Sequence, residues 1–122
     1  MKFELSQRFY FEAAHTLRRK IGAEGSARIH GHTYYAEITI AGQPDPETGM
    51  MMDLGFFRLE VEKAREKLDH HFLDEVAELG PATLENLCKF LYQQLKDCLP
   101  NIERVTVERP ASGDKCTLST HS

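Results

Sequence analysis

The sequence predicts an α+β domain in which two helices lie on one face of an antiparallel sheet. Three observations carry that expectation. Strand-like runs open the chain and follow its first glycine-containing segment, two stretches in the middle repeat apolar residues at spacings of three and four, and a last β-branched run ends at a proline. With 122 residues, 41% hydrophobic and 28% charged, the chain suits one domain, 1–122, with a modest core.

Residues 2–12 alternate in part through Phe3, Leu5, Phe9 and Phe11, are rich in aromatics, and run on into Ala13-Ala14-His15 as a strand. Residues 16–27 have no clear period and hold Gly22 and Gly25, which marks a loop. The strongest strand signal is His-Thr-Tyr-Tyr-Ala-Glu-Ile-Thr-Ile-Ala, residues 32–41. Residues 42–49, with Pro44, Asp45 and Pro46, have turn chemistry, so Met50-Met51-Met52 is expected to return as a short strand and close a hairpin.

Asp53 is placed to cap a helix running to about Leu68, with Phe56, Leu59, Ala64 and Leu68 roughly along one face. Thr83 is placed to cap a second. There Leu84, Leu87, Cys88, Leu91, Leu95 and Cys98 recur at helical spacing before Pro100. Residues 102–108 form the last strand, ended by Pro110, and Cys116-Thr117-Leu118 adds a short edge piece. Such a small sheet leaves edges unpaired, and neighbouring subunits commonly cover them, so a homo-oligomer is expected.

The formal net charge of -4 and the lack of a long basic run argue against a nucleic-acid surface. Arg18-Arg19-Lys20 is the one basic cluster, read as a solvated loop or as support for an anionic substrate. No apolar stretch is long enough for a membrane span, and no signal-peptide hydrophobic region opens the chain, so a cytoplasmic location is expected. The three cysteines are odd in number and lack C-x-x-C spacing. They read as reduced thiols, with Cys88 and Cys98 as small core residues.

Two constellations carry chemistry. In extended backbone His30 and His32 share a face across Gly31, which is expected to leave the space between them free of a side chain, and one antiparallel pairing would bring in His15 from the end of the first strand. A His-x-His pair alone often means two packed histidines. Three imidazoles without a thiolate instead suit zinc with an open fourth position, the catalytic pattern. The second constellation, Asp69-His70-His71, follows the first helix. A carboxylate beside an imidazole can fix a tautomer and move a proton near neutral pH, though histidine is also favoured at a helix C-terminus by the macrodipole alone.

Phe11-Glu12-Ala13-Ala14-His15, His30-Gly31-His32, Asp45-Pro46-Glu47-Thr48-Gly49 with Met52-Asp53, Leu68-Asp69-His70-His71 and Ala82-Thr83-Leu84-Glu85-Asn86 together resemble the 6-pyruvoyltetrahydropterin synthase family. Within it they look most like the bacterial 6-carboxytetrahydropterin synthases of queuosine biosynthesis. The resemblance runs in one order from about residue 3 to residue 108.

It implies the tunnelling fold, a four-stranded antiparallel sheet carrying two helices, assembled as trimers that stack into hexamers with active sites between subunits. It implies zinc on His15, His30 and His32 and the substrate 7,8-dihydroneopterin triphosphate, which the 6-carboxy branch converts with loss of triphosphate and acetaldehyde. Asp69 and His70 match the proton-shuttling pair, contributed across the subunit interface, Thr83 and Glu85 match substrate-binding positions, and Glu108 is the substrate-binding candidate next to the pterin-anchor position.

Two positions depart from the family pattern. The family's cysteine base, four residues before the first histidine of His-Gly-His, is Ser26 here, whose hydroxyl needs a neighbouring base or the metal to take part. The variant position for a glutamate base holds Ala27, and Glu24 and Cys116 are the other substitutes. The glutamate that anchors the pterin after Val-x-Val-x is replaced: Val105-Thr106-Val107 leads to Glu108 and then Arg109, so strict spacing puts arginine at the anchor unless a one-residue slip brings Glu108 in. Two other functions therefore stay open, a paralogue acting on a different pterin or purine-like compound and a non-catalytic zinc-containing pterin-binding protein.

Overall fold

The computed structural model describes residues 1–16 and 28–121. Four strands, β1 (Phe3–His15), β2 (His30–Gly42), β3 (Ile102–Arg109) and β4 (Asp114–Ser119), form one antiparallel sheet in the order β1-β2-β3-β4. Between β2 and β3 the chain makes α1 (Leu54–Glu66), a short 3₁₀ turn (Leu73–Glu75) and α2 (Leu84–Leu95). The tunnelling-fold expectation holds at the level of the subunit: a four-stranded sheet with two helices.

β1 and β2 pair along their full length, from Phe3 opposite Gly42 to His15 opposite His30. The period of two then sorts the strands. Phe11, Ala13 and His15 of β1, Tyr34, Ala36, Ile38 and Ile40 of β2, and Val105 and Val107 of β3 are buried on the helix side. α1 packs against β1, and α2 against β3 and β4.

Each helix begins where a side chain satisfies an otherwise orphaned backbone donor. Asp53 accepts from the Phe56 N–H at 3.0 Å and Thr83 from the Asn86 N–H at 3.1 Å. In α2 the expected apolar face is the buried one, with Leu84, Leu87, Cys88, Leu91 and Leu95 all inside. Burial pushes the Cys88 thiol up to about 12, as the neighbouring Cys116 also does, so it packs as an unreactive hydrophobe.

Two expectations are corrected. Met50-Met51-Met52 is not a strand, because β1 and β3 occupy both edges of β2 and leave no partner for it. The preceding residues close on themselves instead. The Asp45 carboxylate accepts from the Glu47 N–H, the Asp45 N–H donates to the Met50 carbonyl, and Gly49 takes the positive φ of 73° that the turn needs, while Met51 and Met52 pack on the core. The second correction is to the phase of α1. Phe57, Val61, Ala64 and, beyond the helix, Leu68 are buried, whereas Phe56 and Leu59 are exposed.

A candidate metal centre beside a carboxylate–histidine pair

The strand register that builds the sheet also builds the trio. His15 sits opposite His30, and Ala13 opposite His32, so all three imidazoles stand on the helix-side face at the end of β1 and β2. Their ring centroids are 4.4 Å (His15 to His30), 4.9 Å (His15 to His32) and 4.9 Å (His30 to His32) apart, and one nitrogen from each lies within 4.8 Å of the others.

The donor set fits a zinc ion. His15 is completely buried, yet neither ring nitrogen has a hydrogen-bond partner among the described residues, an expensive state unless something else supplies one. His30 Nδ1 lies 2.8 Å from the Arg28 carbonyl, the support that fixes a ligating imidazole with its other nitrogen forward. Burial, helped by the neighbouring His30, depresses the His15 pKa and keeps its ring in the neutral form a metal needs.

Gly31 is not there to make room between the imidazoles. It faces the other side of the sheet opposite Ala14, where an added Cβ would come no nearer than 3.7 Å to the Ala13 carbonyl oxygen. It lines instead a cleft of about 510 Å³ bounded by Glu12, Ala14, His32, His70 and Phe72, among others.

The segment after α1 is fastened along the open edge of β1. The His70 N–H donates to the Glu12 carbonyl at 2.7 Å and the Ala14 N–H to the His71 carbonyl at 3.3 Å, while Asp74 accepts from the Thr16 N–H at 2.9 Å and from its hydroxyl. His70 itself has φ 59°, a left-handed backbone unusual for a residue with a side chain and held here by that docking. Asp69 accepts from the Glu12 N–H at 2.9 Å, faces His70 Nδ1 at 2.8 Å and pairs with Arg65 at 3.3 Å. Partial burial opposes its charge, but these donors outweigh it and hold the carboxyl below its usual range. The imidazole it orients projects outward, its side chain 78% exposed.

The chain as a whole matches the family model described as 6-pyruvoyl tetrahydropterin synthase over residues 4–120. It belongs to that family. Among its relatives, it is 32% identical over 111 residues to the 6-pyruvoyl tetrahydrobiopterin synthase of Homo sapiens, an alignment covering 80% of this chain and 77% of the human one. It is 29% identical over 105 residues to a 6-carboxy-5,6,7,8-tetrahydropterin synthase of a Synechocystis species, covering 81% and 80%. The fold is shared with the Caenorhabditis elegans 6-pyruvoyl tetrahydropterin synthase structure, at TM-score 0.85 and 24% identity over 98% of this chain and 96% of that one. Family membership makes this a pterin-converting enzyme of the lyase class.

Other expected site residues of this family member fall in different places. Ser26, Ala27, Glu24 and Arg18-Arg19-Lys20 lie outside the described residues. Thr83 spends its hydroxyl oxygen capping α2 and Glu85 is exposed in the first turn; neither lines the cleft. The slip that would bring Glu108 onto the histidine face is absent. Pairing with β2 on one side and β4 on the other keeps residues 104–109 in register, the irregularity falling at Thr39/Ile40. Glu108 therefore shares the opposite face with Arg8, 3.7 Å away, and Arg109 takes the histidine side.

Sequence reasoning passed over Tyr34 and Asp74. Tyr34 falls in phase with His30 and His32, and that alternation was the available signal. Asp74 meets Thr16 only through the docking of the segment on β1, which nothing local encodes.

Proposed function

We propose that this chain is a zinc-dependent lyase of the 6-carboxytetrahydropterin synthase type, converting 7,8-dihydroneopterin triphosphate to 6-carboxy-5,6,7,8-tetrahydropterin with loss of triphosphate and acetaldehyde. The observation that carries the reading is the convergence of His15, His30 and His32, with the buried ring nitrogens of His15 lacking a partner among the described residues. Zinc held there would supply Lewis acidity toward substrate oxygens.

The chain's own groups do the rest. Asp69 fixes the orientation of His70, and the exposed imidazole gives or takes a substrate proton. Ser26 stands by sequence where the family carries its thiol base, and acts with help from the metal or from His70. The exposure of His70 supports its serving the trio of a neighbouring subunit in a trimer or hexamer. The working location is the cytoplasm and the product feeds queuosine synthesis; no helix among the described residues is long and apolar enough to cross a membrane.

A second reading, a paralogue acting on a different pterin or purine-like compound, draws support from Arg109 on the histidine face. An anaerobic assay of zinc-loaded protein with 7,8-dihydroneopterin triphosphate, following triphosphate and acetaldehyde together, separates the two. Matched release that vanishes in His30→Ala supports the lyase. Triphosphate alone indicates a pyruvoyl-forming enzyme, and neither product from zinc-replete protein sinks the lyase reading and leaves the paralogue.

A further inference from the structure

One row of the sheet next to the trio has hydrogen-bonding capacity that nothing among the described residues uses. The register opposes Phe11 to Tyr34 and Arg109 to Asp114, and the pairing of Tyr35 with Glu108 carries Arg109 to the level of Tyr34. Phe11, Tyr34, Arg109 and Asp114 thus form a cross-strand row on the histidine face. It lies one strand repeat, roughly 7 Å, from the row holding His32, and the Tyr34 and His32 rings are 5.7 Å apart.

Within that row two buried polar atoms are orphaned. Tyr34 is completely buried, stacked on Phe11 at 4.9 Å between centroids, and its hydroxyl has no partner among the described residues. Arg109 Nε is likewise buried and unsatisfied. Its guanidinium meets Asp114 only at 3.4 Å, through one terminal nitrogen, and that carboxylate is 56% exposed and already accepts from the Ser112 hydroxyl at 2.9 Å. The Arg109 side chain keeps 17% of its surface open, so it remains reachable from outside.

Unused N–H and O–H donors on buried side chains ask for an acceptor, and a guanidinium favours an anionic one. We propose that Arg109 and Tyr34 form an oxyanion subsite beside the histidine trio, so that the natural ligand places a carboxylate or phosphate oxygen there. This rests on the histidine face being the binding site, and not on the lyase chemistry. It makes Arg109 a specificity residue, selecting against ligands that present only N–H donors at that edge.

The test is calorimetric binding to the zinc-loaded, assembled protein of pterin-6-carboxylate against neutral 6-hydroxymethylpterin, with succinate and inorganic phosphate as non-pterin probes. Wild type is expected to prefer the carboxylate pterin by tenfold or more. Arg109→Leu should cut that preference below threefold and Arg109→Lys should keep part of it, with zinc content and circular dichroism unchanged in both. The Lys variant keeps the test valid should the Leu variant misfold.

Preference surviving in Arg109→Leu would mean that another group, the zinc included, holds the anion, and would overturn the proposal. Should neither pterin bind while succinate or phosphate binds in an Arg109-dependent way, the subsite stands, its source of oxyanion is identified, and the pterin reading fails. No Arg109-dependent binding of any of the anions would overturn the subsite.

Discussion

His70 and Asp69 are adjacent in sequence yet meet side chain to side chain, with Nδ1 2.8 Å from a carboxylate oxygen, because the left-handed backbone at His70 turns its ring back across the chain. The second Asp69 oxygen is tied to the Glu12 N–H, so the pair is anchored to the same strand that carries His15. An Asp69→Asn substitution can keep the Glu12 bond through its amide oxygen while losing the charge that orients and stabilises the imidazole. Turnover should fall on the order of 10²-fold or more with zinc content unchanged. Near-normal turnover in zinc-replete Asp69→Asn would remove the pair from the mechanism.

The same carboxylate sets a pH dependence of stability. Its folded-state pKa lies below the ordinary 3.8, so the folded protein binds fewer protons than the unfolded chain in that range. The resulting stabilisation is fully present above the unfolded value and is lost as pH falls through the folded one. In urea melts, the stability gap between wild type and Asp69→Asn should therefore be constant above about pH 5 and shrink below about pH 3.8. A gap unchanged at pH 3 would mean that the Glu12, Arg65 and His70 contacts do not act on the charge.

Metal removal should be visible without any substrate. His15 is buried with both ring nitrogens lacking partners among the described residues, a cost that a bound ion relieves only in the folded state. At a free zinc concentration 1,000 times Kd, binding adds about 4 kcal/mol, enough to raise Tm by on the order of 10 °C. Chelation should reverse the rise, and His30→Ala or His32→Ala should abolish it. A thermal midpoint indifferent to zinc in the wild type would count against the trio as a metal site.

Much of this fold was legible because the strands and α2 have clean periods: the burial of Phe11, Ala13 and His15 and of Tyr34, Ala36 and Ile38 is the alternation itself, and it placed the three histidines together. The α1 face was misread because Phe56 and Phe57 are neighbours and either phase yields a passable apolar stripe; only the packing of the helix on β1 decides. Phe57→Ala should accordingly cost about 3–5 kcal/mol and Phe56→Ala under about 1 kcal/mol, read from denaturant midpoints at unchanged slope. Comparable costs would show that Phe56 is covered, for which a neighbouring subunit is the ready explanation.

What no periodicity encodes is which trio a given His70 serves. Within one chain, His32 and His70 line the same cleft, yet the His70 ring is exposed and the edge of β1 beyond its docked segment has no partner strand among the described residues. These two facts favour different answers, and mixed assembly separates them. His30→Ala lacks a complete trio and His70→Ala lacks the proton carrier, so each alone should be inactive. If neighbouring subunits supply the pair, unfolding and refolding the two variants together at equal ratio should restore roughly a quarter of wild-type activity, since a site works only where an intact trio meets an intact His70 from the next subunit. If the pair serves its own chain, every site in the mixture carries one defect and no activity returns. Recovery near a quarter would thus establish both the assembly and the sharing of its active sites between subunits.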